Sequence, residues 1–301
     1  MLAHEPSDTC KVARALHLAF LNLLTIRVCI AENVVTAPNY KNQHYVWRHY
    51  LNAWAADGTF CCYRHKDKKL FPTRAKSVAN ENYFYETQEL TAGDLKFLDD
   101  FIGRATEEEL RKINREYVQL TQLSFNLRKR LKQTDLAPGA RVAIEDELRW
   151  AEKNLGERYH TGIENKCSDI LESLRTENDD FYNDEVRAVD FIYFLSLQYF
   201  RTAKMRDGLS KIPTDVPGHD PRRTANILNH THATNVGAGL YRERRSYRQA
   251  LVPNGSGGGQ PVSAPRLASL SNQSSTTSSG QSGKSALIVA RSTMARPSVQ
   301  P

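Results

Sequence analysis

Between residues 90 and 250 apolar positions recur at spacings of three and four, a periodicity that predicts a mostly helical protein. Leu110, Ile113, Tyr117, Leu120, Ser124, Leu127 and Leu131 form a heptad seam, read as one helix that starts at a Thr106/Glu109 capping box. Pro138-Gly139 then turns the chain into a second periodic stretch, through Ile144, Leu148, Ala151, Leu155 and Tyr159 towards Leu174. A long helical hairpin packed within the subunit is the simplest product of two such seams. Thr91 is placed to cap a helix running through Phe101. From Glu185 the run VRAVDFIYFLSLQYFRTAKMRDGL is apolar nearly all round and predicts a helix at the centre of the core. At its polar end Phe194, Gln198 and Arg201 share a face.

The N-terminal part reads differently. As a helix, NQHYVWRHYLNAWAADG would put Trp47, Tyr50, Leu51 and Trp54 on a core face, with His44, Arg48 and Asn52 on another. Asp57-Gly58 signals a turn. TFCCYR and KLFPTRA flank a charged turn and predict a β-hairpin, and NYFYE adds a short strand. No β-α-β alternation and no glycine-rich phosphate loop follows, which disfavours the common nucleotide-binding folds. The expected fold is α+β with helices predominating. A small antiparallel N-terminal sheet packs on a helical body in residues 38–250, preceded by a segment of helical potential (1–37).

Charge changes the picture only at the end of the chain. The net charge is +7 over 301 residues, yet Arg266, Lys284, Arg291 and Arg296 stand in a tail with no acidic residue, so the first 249 residues carry only +3. That excess is an ordinary solvated surface and speaks weakly for nucleic acid. The tail, residues 251–301, is rich in serine, glycine and proline. Such a composition buries too little apolar surface to offset its conformational entropy and predicts disorder. Five cysteines, an odd number without C-x-x-C spacing, argue against a disulfide framework or a zinc site and suit a reducing cytoplasm. The apolar stretch from Ala15 to Ala31 is interrupted by Asn22, Thr25 and Arg27, so no membrane span is expected.

His44-Tyr45-Val46-Trp47-Arg48-His49-Tyr50-Leu51, then Ala79-Asn80-Glu81 leading to Tyr83-Phe84-Tyr85, then Leu197-Gln198-Tyr199-Phe200-Arg201-Thr202 occur in that order. This series resembles the domain of unknown function 4238 family, a largely bacterial group, over roughly residues 40 to 250. Two departures stand out. The family usually has proline where Trp47 stands, and it continues with a strand-rich segment carrying an aspartate before a proline-valine step. Here Gly258 and Gly259 stand before Gln260-Pro261-Val262, and acidic and aromatic residues cease after Tyr247. A frameshift or fusion that replaced the late strands accounts for this. If those strands pair with the hairpin at residues 59 to 74, their loss exposes a sheet edge. The resemblance implies no catalytic role.

Candidate chemistry rests on few residues. A histidine with arginine forks suits an anionic ester, which singles out His44, Arg48 and Arg201 as catalytic candidates, although no carboxylate accompanies them in the motifs. The plainer alternative is that His44 caps a helix while Arg48 and Arg201 pair with buried acids or carbonyls. Tyr45, Gln198, Arg242, Arg244 and Arg245 are candidate binding residues, the last three in an arginine-rich helix with Arg222, Arg223 and Arg248 that could present one basic face. His230 and His232 stand two apart on a helix and point away from each other, so no metal and no cofactor is indicated. Two functions follow: a binding module for an anionic partner, nucleic acid or protein, and a phosphoester hydrolase using His44 with Arg48 and Arg201. The patterns leave monomer and dimer open.

Overall fold

The computed structural model describes residues 38–251 and 286–287, with side chains from residue 38 to 244. Residues 1–37 and the rest of the tail lie outside the described residues, so the readings of a helical leader and of a disordered tail fall there. The elements run β1 (Asn42–His44), α1 (Arg48–Asn52), β2 (Phe60–Arg64), β3 (Lys69–Thr73), β4 (Asn80–Asn82), α2 (Ala92–Ile102), α3 (Glu108–Thr121) and α4 (Leu123–Leu131). There follow α5 (Pro138–Lys166), α6 (Ser168–Arg175), α7 (Glu185–Phe200), α8 (Ala203–Leu209), α9 (Pro221–Leu251) and β5 (Ala286–Leu287). Helices dominate, and the two small antiparallel sheets sit at the N-terminal end, as the sequence predicts.

The central helix is α7, whose Val189, Phe191, Ile192, Tyr193, Phe194 and Leu197 are buried against α5, α6 and α9. Its start is fixed by Asp184, whose carboxylate accepts from the N–H groups of Val186 and Arg187. Helix α2 begins as expected at Thr91, in a complete capping box with Asp94. Helix α3 does not begin as expected. Glu107, not Thr106, stands at its N-cap and makes no capping bond. Arg111 instead reaches back to the carbonyls of Ala105 and Thr106.

The hairpin is more broken than its periodicity predicts. Gln122 interrupts the first arm because its side chain turns out of the helix, accepting from Leu90 N–H at 2.9 Å and donating to Gln88 O at 3.0 Å. The second arm starts with Pro138 at its first turn, where the missing N–H costs nothing, and breaks at Cys167. The β2–β3 hairpin pairs Phe60 with Thr73 through Arg64 with Lys69, placing Cys62 inside and Cys61 outside. Asp57 and Gly58 both adopt positive φ at the preceding turn, which suits a two-residue connection. On the other edge of β2, Tyr63 and Arg64 pair with Leu287 and Ala286.

The N-terminal run is corrected. It is a strand followed by a five-residue helix, because Asn42–His44 pairs with Asn80–Asn82. With so little helix the expected core face holds only in part: Leu51 is fully buried and Trp47 packs on Phe194 at the main core, whereas Tyr50 and Trp54 are more than two-fifths exposed. Among the described residues no helix is long and apolar enough to cross a membrane.

Candidate functional site

Strand β1 is held against the middle of α5 by side chains that replace missing sheet partners. Gln43, fully buried, donates to Lys153 O at 2.6 Å and accepts from Tyr85 N–H at 2.8 Å. Tyr40 N–H donates to Asn154 Oδ1 at 2.7 Å. The approach requires Gly156: a Cβ there would stand 2.5 Å from Tyr85 Cβ and 3.0 Å from Tyr85 O. Packed in this way, the end of β1 lies over the next turns of α5, which carry Glu157, His160 and Glu164 on one face at spacings of three and four.

These two glutamates and Arg201 form the charged heart of the molecule. Arg201, just past the end of α7 and 3% exposed, donates to Glu164. Gln198 links the same carboxylate to the N-terminal motif: its amide donates to Glu164, and its oxygen accepts from Trp47 N–H at 3.4 Å. The backbone N–H of His44 lies near enough to Glu157 to favour its ionised form, the weakest of the influences on that carboxyl. One guanidinium therefore faces two carboxyls, Glu164 buried and Glu157 half-buried. Burial, reinforced by the charge of Glu164, pushes the Glu157 carboxyl up to about 7, and burial also raises Glu164. Glu157 is thus a carboxyl poised near neutral pH.

On the other side of Arg201 opens a cavity of about 440 Å³, within the size range of small-molecule sites. Its walls come from the turn after β4 (Phe84, Tyr85), where the NYFYE run makes no strand beyond Asn82, and from α3 (Tyr117), α5 (Tyr159, His160), α8 (Arg206) and α9 (Arg222, Arg223, Asn226, Asn229, His230). The inner wall is a buried aromatic network. Tyr159 and Tyr193 hydroxyls lie 2.5 Å apart, and each is 2.9 Å from His230 Nε2. The His230 ring lies flat against Tyr117, with centroids 3.4 Å apart. Burial pushes His230 down to about 3 and holds the tyrosines above the usual phenol range, so all are neutral. At the mouth Arg206 lies 4.3 Å over the Phe84 ring and binds Glu81 and Asp207.

A family model described as protein of unknown function (DUF4238) matches residues 42–245, which contain the strand motif, both glutamates, Arg201 and every wall of the cavity. The chain belongs to the DUF4238 family. No curated protein and no solved structure matches it. The family description assigns no activity, so the chemistry of this DUF4238 protein has to be read from its own residues.

The sequence candidates separate into two groups. His44, Gln198 and Arg201 come together around Glu157 and Glu164, and these supply the carboxylates that the motifs lacked. His44 ends a strand and caps no helix. Its ring lies 3.4 Å from the Asn80 amide, and burial, with the charges of Arg48 and Arg201, lowers it below the ordinary imidazole range. Arg201 pairs with a buried acid, as the plainer reading supposed, whereas Arg48 is exposed. Tyr45 packs on Phe84 with centroids 5.1 Å apart. The arginines of α9 do not form one basic face. Arg222 and Arg223 stand in the first turn, bound to Asp220 and Asp94. Arg242 and Arg244 stand some 20 residues on, about 30 Å along the helix, where they bind Glu107 and the Tyr182 carbonyl. Arg245 lies outside the described side chains.

His230 and His232 diverge as expected, the latter stacking on Phe200. Among the described residues no group of three histidine, cysteine, aspartate or glutamate side chains is placed to hold a metal ion. Sequence reasoning missed Glu157, Glu164, His160 and Asn229. The available signal was the spacing of Glu157, His160 and Glu164 inside a seam whose neighbouring positions are apolar.

Proposed function

We propose that this protein is a binding module for an anionic partner, and that recognition runs through the cavity at Arg201 rather than along the length of α9. The observation that carries this reading is the convergence of four arginines on one cavity. Arg201, Arg206, Arg222 and Arg223 come from three consecutive segments of the chain, and each is held in place by an acid, Glu164, Glu81 with Asp207, Asp220, and Asp94 respectively. The mouth also holds the N-terminus of a 31-residue helix, where backbone N–H groups favour negative charge. Arg222 uses only Nε and Nη2 towards Asp220, which leaves Nη1 to donate.

The test is binding of a labelled single-stranded oligonucleotide followed by anisotropy across salt concentrations. Salt-sensitive association without turnover, weakened about tenfold by combined Arg206→Gln and Arg222→Gln, is expected. Loss on Arg242→Gln with Arg244→Gln instead would move the surface to the far end of α9. Failure to bind any polyanion would sink the reading.

One observation favours phosphoester hydrolysis as a second reading: Glu157, shifted to about 7, stands near the His44 backbone and Arg201. That reading requires cleavage of the oligonucleotide that disappears in Glu157→Gln and His44→Ala while both variants remain folded. The setting proposed is a reducing bacterial cytoplasm, supported by the free thiols of Cys61, Cys62 and Cys167. A replaced reading frame after Leu251 remains part of the proposal. What supports it is the loss of acidic and aromatic residues after Tyr247, while the β2 edge is paired over two residues by Ala286 and Leu287 of the present tail. Translation of the other two frames past Leu251 is expected to show a strand-like segment with an aspartate before proline-valine, and its absence from both would end the idea.

A further inference from the structure

The cavity carries a second feature besides its arginines. Asn229 is 3% exposed and lines the wall, yet neither its amide nitrogen nor its amide oxygen has a hydrogen-bond partner in the protein. His230, also on the wall and 4% exposed, leaves Nδ1 unpartnered. Two phenolic hydroxyls face its Nε2, which favours Nε2 as the acceptor and puts the ring proton on Nδ1 as a donor. Leaving such buried groups unsatisfied is costly, so a wall that concentrates them is built for something that satisfies them. What they offer is mixed: a donor beside an acceptor on Asn229 and a further donor on His230. A fully ionised oxyanion such as sulfate has no donor to give Asn229 Oδ1. A planar heterocycle with adjacent donor and acceptor groups fits, and an asparagine amide reads such an edge in a two-point fashion.

Placement along α9 supplies the other half of the argument. Arg222 and Asn229 are seven residues apart, two turns on one face of the helix, so the cations at the mouth stand about 10 Å from the amide within. Flat side chains line the space between, with Phe84 and Tyr85 opposite Asn226, whose amide is fixed by donation to Phe84 O at 2.9 Å. A ligand matching this wall has a charged end, an aromatic heterocyclic end, and a spacer between them. Resting on the anion-binding reading above, we infer that the cavity takes a nucleoside phosphate, its base paired with Asn229 and its phosphate at Arg206, Arg222 and Arg223. The same chemistry is presented by a free nucleotide and by the 5′ end of a strand.

The experiment is calorimetric titration of the full chain with the four common nucleoside 5′-monophosphates, with ribose 5-phosphate, and with a 5′-phosphorylated tetranucleotide. At least one nucleotide is expected to bind tenfold or more tightly than ribose 5-phosphate. Asn229→Ala is expected to remove that advantage while leaving ribose 5-phosphate binding unchanged. If that variant does not fold, the wild-type ligand series decides alone. Binding of the tetranucleotide as tightly as the best mononucleotide assigns a strand terminus, and its exclusion assigns the free nucleotide. Equal binding of all four nucleotides and ribose 5-phosphate overturns the base-recognition inference and leaves the anion reading standing. No binding by any probe, ribose 5-phosphate included, overturns both.

Discussion

Replacing Glu157 with glutamine removes one of the two carboxyls that share Arg201, and the structure fixes both the sign and the size of the effect. In the folded chain the carboxyl is pushed from its ordinary 4.5 up to about 7 by burial and by Glu164. Between those values the folded state holds a proton that the unfolded chain releases, so stability falls as pH rises through this window, and the full cost is present above about 7. A displacement of about 2.5 units corresponds to about 3 kcal/mol at roughly 1.36 kcal/mol per unit. At pH 5 most of that cost is absent, leaving about 1 kcal/mol. A glutamine keeps the size of the side chain without its charge, so Glu157→Gln is expected to stabilise the protein by up to about 3 kcal/mol at pH 8 and by less than about 1 kcal/mol at pH 5. In thermal unfolding this is a rise of roughly 6 to 12 °C at the higher pH for a domain of this size. Urea or thermal denaturation of the variant and parent at both pH values measures it. An equal shift at pH 5 and pH 8, or a loss of stability at pH 8, would refute the carboxyl-pair reasoning.

The remaining expectations concern neighbouring parts of the same frame. Arg201→Met leaves Glu164 and Glu157 without their buried counter-charge and is expected to cost about 3–5 kcal/mol at pH 8 and distinctly less at pH 5, by the same denaturation assay. Gly156→Ala drives a methyl group against Tyr85, and a loss of about 1–3 kcal/mol is expected, with the midpoint of thermal unfolding lowered accordingly. Thr91→Ala removes the hydroxyl that caps α2 and donates to Gly218 O at 2.8 Å, and should cost about 1 kcal/mol, with faster amide exchange confined to the first turn of α2 and the adjoining 217–220 loop.

Local chemistry was legible at many positions. Thr91 caps its helix because its hydroxyl accepts from the N–H of Asp94 while the Asp94 carboxylate accepts from the N–H of Thr91, an exchange written within four residues. The Asp57-Gly58 turn, the opposite faces of Cys61 and Cys62, and the buried run of α7 follow in the same way from neighbours along the chain. The failures were also local in origin. A helical reading of residues 42–58 fitted their spacing, and only pairing with residues 80–82, nearly forty positions away, made Asn42–His44 a strand. Gln122 was invisible as a break because its role depends on the carbonyl of Gln88 and the N–H of Leu90, which a period of three and four does not describe.

The sequence by itself determined that helices predominate after residue 90, which run of residues forms the buried central helix, and which family the chain resembles. It also singled out His44, Gln198 and Arg201 through their motifs. Tertiary structure alone decided that these three meet Glu157 and Glu164, that the arginines of α9 are split between its two ends, and that Asn229 faces a cavity. The physical reason is that backbone propensity and hydrophobic period are set by residues a few positions apart, which fix an element and its buried face. Which buried faces come together is settled by packing over separations of more than a hundred residues, and the charge balance at Arg201 exists only after that packing.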